Sequence, residues 1–254
     1  MSHENSGTES VTVLVKALPQ PSEKYAETVC VAGVTRDGEW RRLYPIRFRQ
    51  LEDKFRRWHW IEYKWHRAHG DKRSESRNVD NETLRTLHPL RPAERARFLT
   101  PLIRTSTDEA VERKESLTII RPTNVNFSWE EKTTEEIAAE RRGFSNAARQ
   151  TSFFDSELKV LNPCPYKFFF EYTSADGKGH RNFCHDWETS AAFHNLSRSH
   201  SATDALKHLS NEYNHRYPQA GMAFAMGTHS QRPTQWLLIG VLRLDEEKQA
   251  SLDL

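Results

Sequence analysis

The sequence predicts an α+β protein, a small barrel or a strongly curved mixed sheet with flanking helices. Three observations predict it. Strand-like segments crowd the first 66 residues. A polar, weakly periodic middle follows. The last hundred residues then read β-β-α-α-β-β, without the strand–helix alternation of a doubly wound sheet.

The elements follow in order. Residues 1–9 are polar and read as a disordered tail. "VTVLVK" (11–16) and "ETVCVAGV" (27–34) are rich in β-branched residues and read as strands. Asp37-Gly38 in "RDGE" marks a hairpin turn, and "WRRLYPIRF" is the return strand. "RQLEDKFRR" (49–57) sets Leu51 and Phe55 four apart, as a short helix would. "WHWIEYKWH" (58–66) alternates, with Trp58, Trp60, Glu62 and Lys64 on one face and His59, Ile61, Tyr63 and Trp65 on the other.

Residues 67–115 read as loop and short helices, including "PAERARFL" after Pro92. "SLTIIRP" (116–122) is a strand, and 134–142 a helix within a polar connector at 131–156. Farther on, "PYKFFFEYT", the turn "ADGKGH" and "RNFCHD" form a hairpin. Helices follow from about 187 to 196 and from Ser201, where Ser201 and Asp204 have capping-box spacing. "MAFAMGT" and the apolar "QWLLIGVLRL" close the chain as strands. The organisation expected is a tail, a basic aromatic β-rich region at 10–130, the connector, and an α+β region at 157–254 packed with the first as one unit.

Charge is unevenly placed. Between Arg36 and Arg77, thirteen Lys/Arg stand against seven Asp/Glu, a local +6 in a chain of net +2, so the remainder carries −4. A basic block on a near-neutral chain points to a polyanion. Four of the seven Trp lie in the same block, and flat rings stack on bases while Arg neutralises phosphate. Tyr44, Trp58, Trp60 and Trp65 are the stacking candidates. Arg41, Arg42, Arg47, Arg49, Arg56 and Arg57 are the phosphate candidates, joined by His229 and Arg232 on the loop between the last two strands. The competing structural reading puts the rings in the core, with Arg stems along its edge.

"RNFCHDWETSAAFHNL" (181–196) is the second dense segment. Asp186 and Glu188 suit a magnesium or manganese site, with His180 or His185 as base, for hydrolysis of a phosphodiester. The same two acids suit a helix start, Asp186 as N-cap and Glu188 in the first turn. Zinc is less well supported: His180, Cys184 and His185 lack a paired Cys-x-x-Cys. Three widely spaced cysteines form no disulfide framework, no apolar run is long enough to span a bilayer, and the first residues lack a signal-peptide apolar region. The expected setting is the cytoplasm, with no membrane partner. P-loop, dinucleotide and G-x-S-x-G signatures are absent.

"KALPQPSEKYAETVCVAGVTRDGEWRRLYPIRFR", "DKRSES", "GHRNFCHDWE" and "GTHSQRPTQWLLIGV" together resemble a widespread bacterial family of hypothetical proteins. The resemblance implies one integrated protein of bacterial type and assigns no reaction. The family's cysteines before the glycine-histidine pair are missing here, which weighs further against zinc. The expectation is a nucleic-acid-binding protein recognising DNA or RNA, with a role in defence or nucleic-acid processing. The alternative is a metal-dependent nuclease or related hydrolase using Asp186 and Glu188. A third reading is a module whose aromatic surface meets a protein partner.

Overall fold

The computed structural model describes residues 5–18, 20–22, 26–47, 55–68, 70–71, 73–151, 162–229 and 232–246. Strands β1 (Ser6–Lys16), β2 (Gln20–Ser22), β3 (Ala26–Val34), β4 (Trp40–Arg47), β5 (His59–Arg67) and β6 (Ser76–Pro89) form one sheet. Its order is β1-β5-β6-β4-β3-β2, and β1 also pairs with β3. That extra pairing closes five strands, β1-β3-β4-β6-β5, into a barrel. Among these five, only β4 and β6 run parallel. This is the strand order of an OB-type Greek-key barrel.

The closure depends on β1. Its first half pairs with β5, from Ser6↔His66 to Thr12↔Trp60. Its second half pairs with β3, from Thr12↔Val34 to Lys16↔Val31, with a register shift between Val13 and Val15. Such an irregularity bends a strand and lets it turn the corner between two partners. Gly33 sits where the strands cross. A Cβ there would lie 2.5 Å from the Thr12 carbonyl oxygen, so the crossing requires glycine. Gly38, at φ 82°, makes the β3–β4 turn that Asp37-Gly38 predicts.

Inward side chains fill the barrel: Val11, Val13, Val31, Leu43, Ile61 and Tyr63 are fully buried, with Trp65 beside them. Helix α1 (Pro92–Leu99) then leads to β7 (Ile103–Arg104), α2 (Thr107–Glu112) and β8 (Leu117–Ile120). After β9 (Thr123–Glu131) and α3 (Thr134–Thr151) come β10 (Tyr166–Thr173) and β11 (Gly179–Phe183). Helices α4 (Trp187–Leu196) and α5 (Ala202–Asn211) lead through a π-helical turn at Glu212–Arg216 to β12 (Met222–Thr228) and β13 (Trp236–Arg243).

The later strands form a sheet β11-β10-β9 and a sheet β13-β12-β8-β7. The second of these packs on the barrel's outside: Leu14, Val15, Ala32 and Val34 share one core with Leu117, Ile119, Ala223 and Ala225. A further core joins Phe127, Phe168 and Phe170 to Phe193, Leu209 and Tyr213. The barrel and the second half therefore fold against each other.

Several expectations change. The tail read at 1–9 contributes strand from Ser6, because β5 offers unpaired backbone there and Glu9 is held by Arg41 and Arg77. Residues 67–115 include the fourteen-residue β6 rather than only loop and short helix. The connector holds α3 as far as Thr151, beyond the expected residue 142. The helix read at 49–57 falls largely outside the described residues, and 55–57 are loop and turn.

Candidate functional site

Asp186 is the N-cap of α4 and 1% exposed. Its Oδ1 accepts from the Glu188 backbone N–H at 3.1 Å, and its Oδ2 from the Val241 N–H at 2.8 Å. Arg57 Nη2 donates to both oxygens at 2.7 Å, while Arg57 Nη1 donates to the Val241 carbonyl at 2.5 Å. Burial alone would lower the Arg57 pKa, but Asp186 and Glu188 outweigh it and hold the guanidinium charged. Burial pushes the Asp186 carboxyl upward, and Arg57 opposes that. These four hydrogen bonds saturate the carboxylate. The expected metal or acid–base role of Asp186 is therefore corrected: it caps a helix and ties the barrel to β13. The phosphate role of Arg57 is corrected with it, because its head is spent internally.

The neighbouring candidates do not converge on Asp186. Glu188 is part-exposed, with Lys16 Nζ 3.7 Å away. His180 Nε2 lies 2.8 Å from Ser174 Oγ, and its ring stacks on Tyr172 at 5.0 Å, so it braces the β10–β11 hairpin. His185 lies edge-on to Phe183, and burial together with nearby His229 lowers its pKa to about 4. A histidine that weakly basic serves poorly as a general base near neutrality. Burial pushes the Cys184 thiol up to about 12, so it is not a thiolate. Among the described residues no three His, Cys, Asp or Glu side chains gather as a metal site. His229 is half-buried, and Arg232 is exposed on the turn that links β12 to β13.

The tryptophans also change place. Trp58, Trp60 and Trp65 are 7%, 3% and 8% exposed. Trp65 points into the barrel, with Arg77 over its ring at 4.0 Å. Trp58, at φ 70°, joins the core against the second sheet, under Arg95 at 4.6 Å. As freely exposed stacking faces all three are corrected: α1 and the barrel wall cover them. Tyr44 stays exposed at 46% on the outer face of β4. Arg41 pairs with Glu9 and Glu39. Arg42 is buried against Glu75 and the Ser116 carbonyl, so as phosphate contacts both are corrected. Arg56 is exposed, whereas Arg49 and the side chain of Arg47 lie outside the described residues.

A cleft that the sequence reading did not single out lies beside the barrel. It measures about 700 Å³, between the β3–β4 turn, the end of β6 and α1. Arg36, His88, Arg91 and Arg97 supply its polar wall, and Trp60 and Phe98 its aromatic floor. Arg36 Cζ lies 4.5 Å from the Trp60 ring, and Phe98 meets that ring edge-on at 5.8 Å and 73°. Glu94, the one acid on the wall, is already paired with Arg91 at 2.5 Å. Arg36 and Arg97 form no ion pair among the described residues. The available signal was "HPLRPAERARF", whose arginines fall outside the basic block counted at 36–77.

Two family descriptions match the chain. Residues 7–104, the barrel and α1, match Domain of unknown function (DUF8758), and residues 102–253 match Domain of unknown function (DUF8757). No curated protein matches. Among the described residues no helix is long and apolar enough to cross a membrane. With more than half its length under the second description, the chain belongs to the family described as Domain of unknown function (DUF8757).

Proposed function

We propose that the protein binds nucleic acid through the cleft beside its barrel. The carrying observation is that three arginines line an aromatic-floored cavity whose one glutamate is already paired. Cations there release counterions from phosphate, and planar groups stack on bases. The OB-type strand order adds support by analogy, a weaker warrant than the site, since one fold hosts many functions. Bacterial origin, a cytoplasmic setting and a role in defence or nucleic-acid processing belong to the same reading.

The test is fluorescence anisotropy with labelled oligonucleotides over a range of salt. The reading expects log affinity to fall linearly with log salt, with a slope of about −2 or steeper for three phosphate contacts. Absence of binding at low salt, or binding indifferent to salt, contradicts it.

A further inference from the structure

We infer that the cleft receives an unstacked base from a single strand of DNA or RNA; this rests on the nucleic-acid reading above. Trp60 forms the floor at only 3% exposure, so whatever touches this region must reach below the surface. Bases in a duplex are held in the stack and do not reach a recessed floor, whereas a single strand can splay one out. The volume, about 700 Å³, lies in the range of built ligand sites.

The contacts divide by chemistry. Trp60 is already occupied, with Phe98 at its edge and the Arg36 guanidinium over its ring. The surface left for a base is therefore the outer side of the Arg36 guanidinium, backed by Trp60, with half-buried Phe98 beside it. Guanidinium planes stack on bases as aromatic rings do. Arg91 and Arg97, exposed on the α1 side, stand where the flanking phosphates would run. This is not the face that OB-type barrels commonly use, the outside of the second and third strands. Here that face is closed: Ala32, Val34 and Arg42 are buried, the first two against the second sheet and Arg42 against Ser116.

The experiment compares a labelled oligothymidine, an oligouridine and a duplex of equal length, on wild type and Arg36→Lys, with a melting curve for each protein. Arg36→Lys keeps the charge and loses the plane. Single strands of one or both kinds should bind at least about tenfold tighter than duplex. The variant should lose roughly five- to hundredfold of that affinity, with an unchanged salt slope and an unchanged melt. Equal binding of duplex, or a variant that binds single strands like wild type, overturns the inference and leaves the broader reading standing. Failure of all three probes overturns both.

Discussion

At the scale of the residue, Asp186 and Arg57 show how a chemical motif can be a structural one. The sequence made the helix cap legible, because an Asp at a strand-to-helix junction caps by a local rule. The partner was not legible: Arg57 lies 129 positions away, and no spacing rule connects them. The energetic expectation changes accordingly. Asn would still cap α4, yet it would leave the buried guanidinium without its counter-charge. Asp186→Asn is predicted to cost about 3–5 kcal/mol in urea unfolding. A loss near that of a simple cap change, under about 1 kcal/mol, would show that the pair does not hold the two halves together. His185 gives a second expectation. Its folded pKa of about 4 lies below the usual value of about 6.5, so between those values the unfolded chain takes up the proton first. Its contribution is complete above about pH 6.5 and is lost as pH falls toward 4, by at most about 3 kcal/mol. Urea midpoints at pH 7 and pH 5 for wild type and His185→Gln check this: the variant should show the smaller drop.

Elements were legible where one face is buried and the other wet, and less so elsewhere. The division of β5 into Trp58/Trp60 and Ile61/Tyr63/Trp65 faces survives, but both faces are covered, one by the barrel and one by the packing of α1 and the second sheet. Trp60→Ala and Trp65→Ala should therefore each cost about 3–5 kcal/mol of stability, and intact melts would contradict both placements. Strand β6 escaped sequence reading for the opposite reason. Only Ser76, Val79 and Leu84 are buried before its last residues, and its pairing with β5 shifts register twice, which breaks the two-residue period. The crossing of β1 and β3 depends on Gly33. Gly33→Ala must push a methyl against the Thr12 carbonyl, and about 1–3 kcal/mol of destabilisation should appear in a thermal melt. An unchanged melt would mean that the strands can part freely there.

At the scale of the whole molecule, the sequence conveyed an α+β barrel with helices, and the last strand's apolar run announced its burial between layers. Strand order was beyond reach, because the parallel pairing of β4 with β6 and the bent β1 are set by contacts distant in sequence. The basic aromatic block was visible as composition, but its individual arginines were not. Arg41, Arg42 and Arg57 turn inward to carboxylates, while Arg91 and Arg97, outside the block, join Arg36 at the cleft. Local charge excess thus pointed to the right half of the protein and to mostly different side chains. The most direct test of the cleft is the salt dependence of single-strand binding by Arg36→Gln/Arg97→Gln, measured beside wild type with matched melts. The account predicts weaker binding to every sequence and a slope shallower by about 1.4, about 0.7 for each lost phosphate contact. A double variant with wild-type affinity and slope would contradict it.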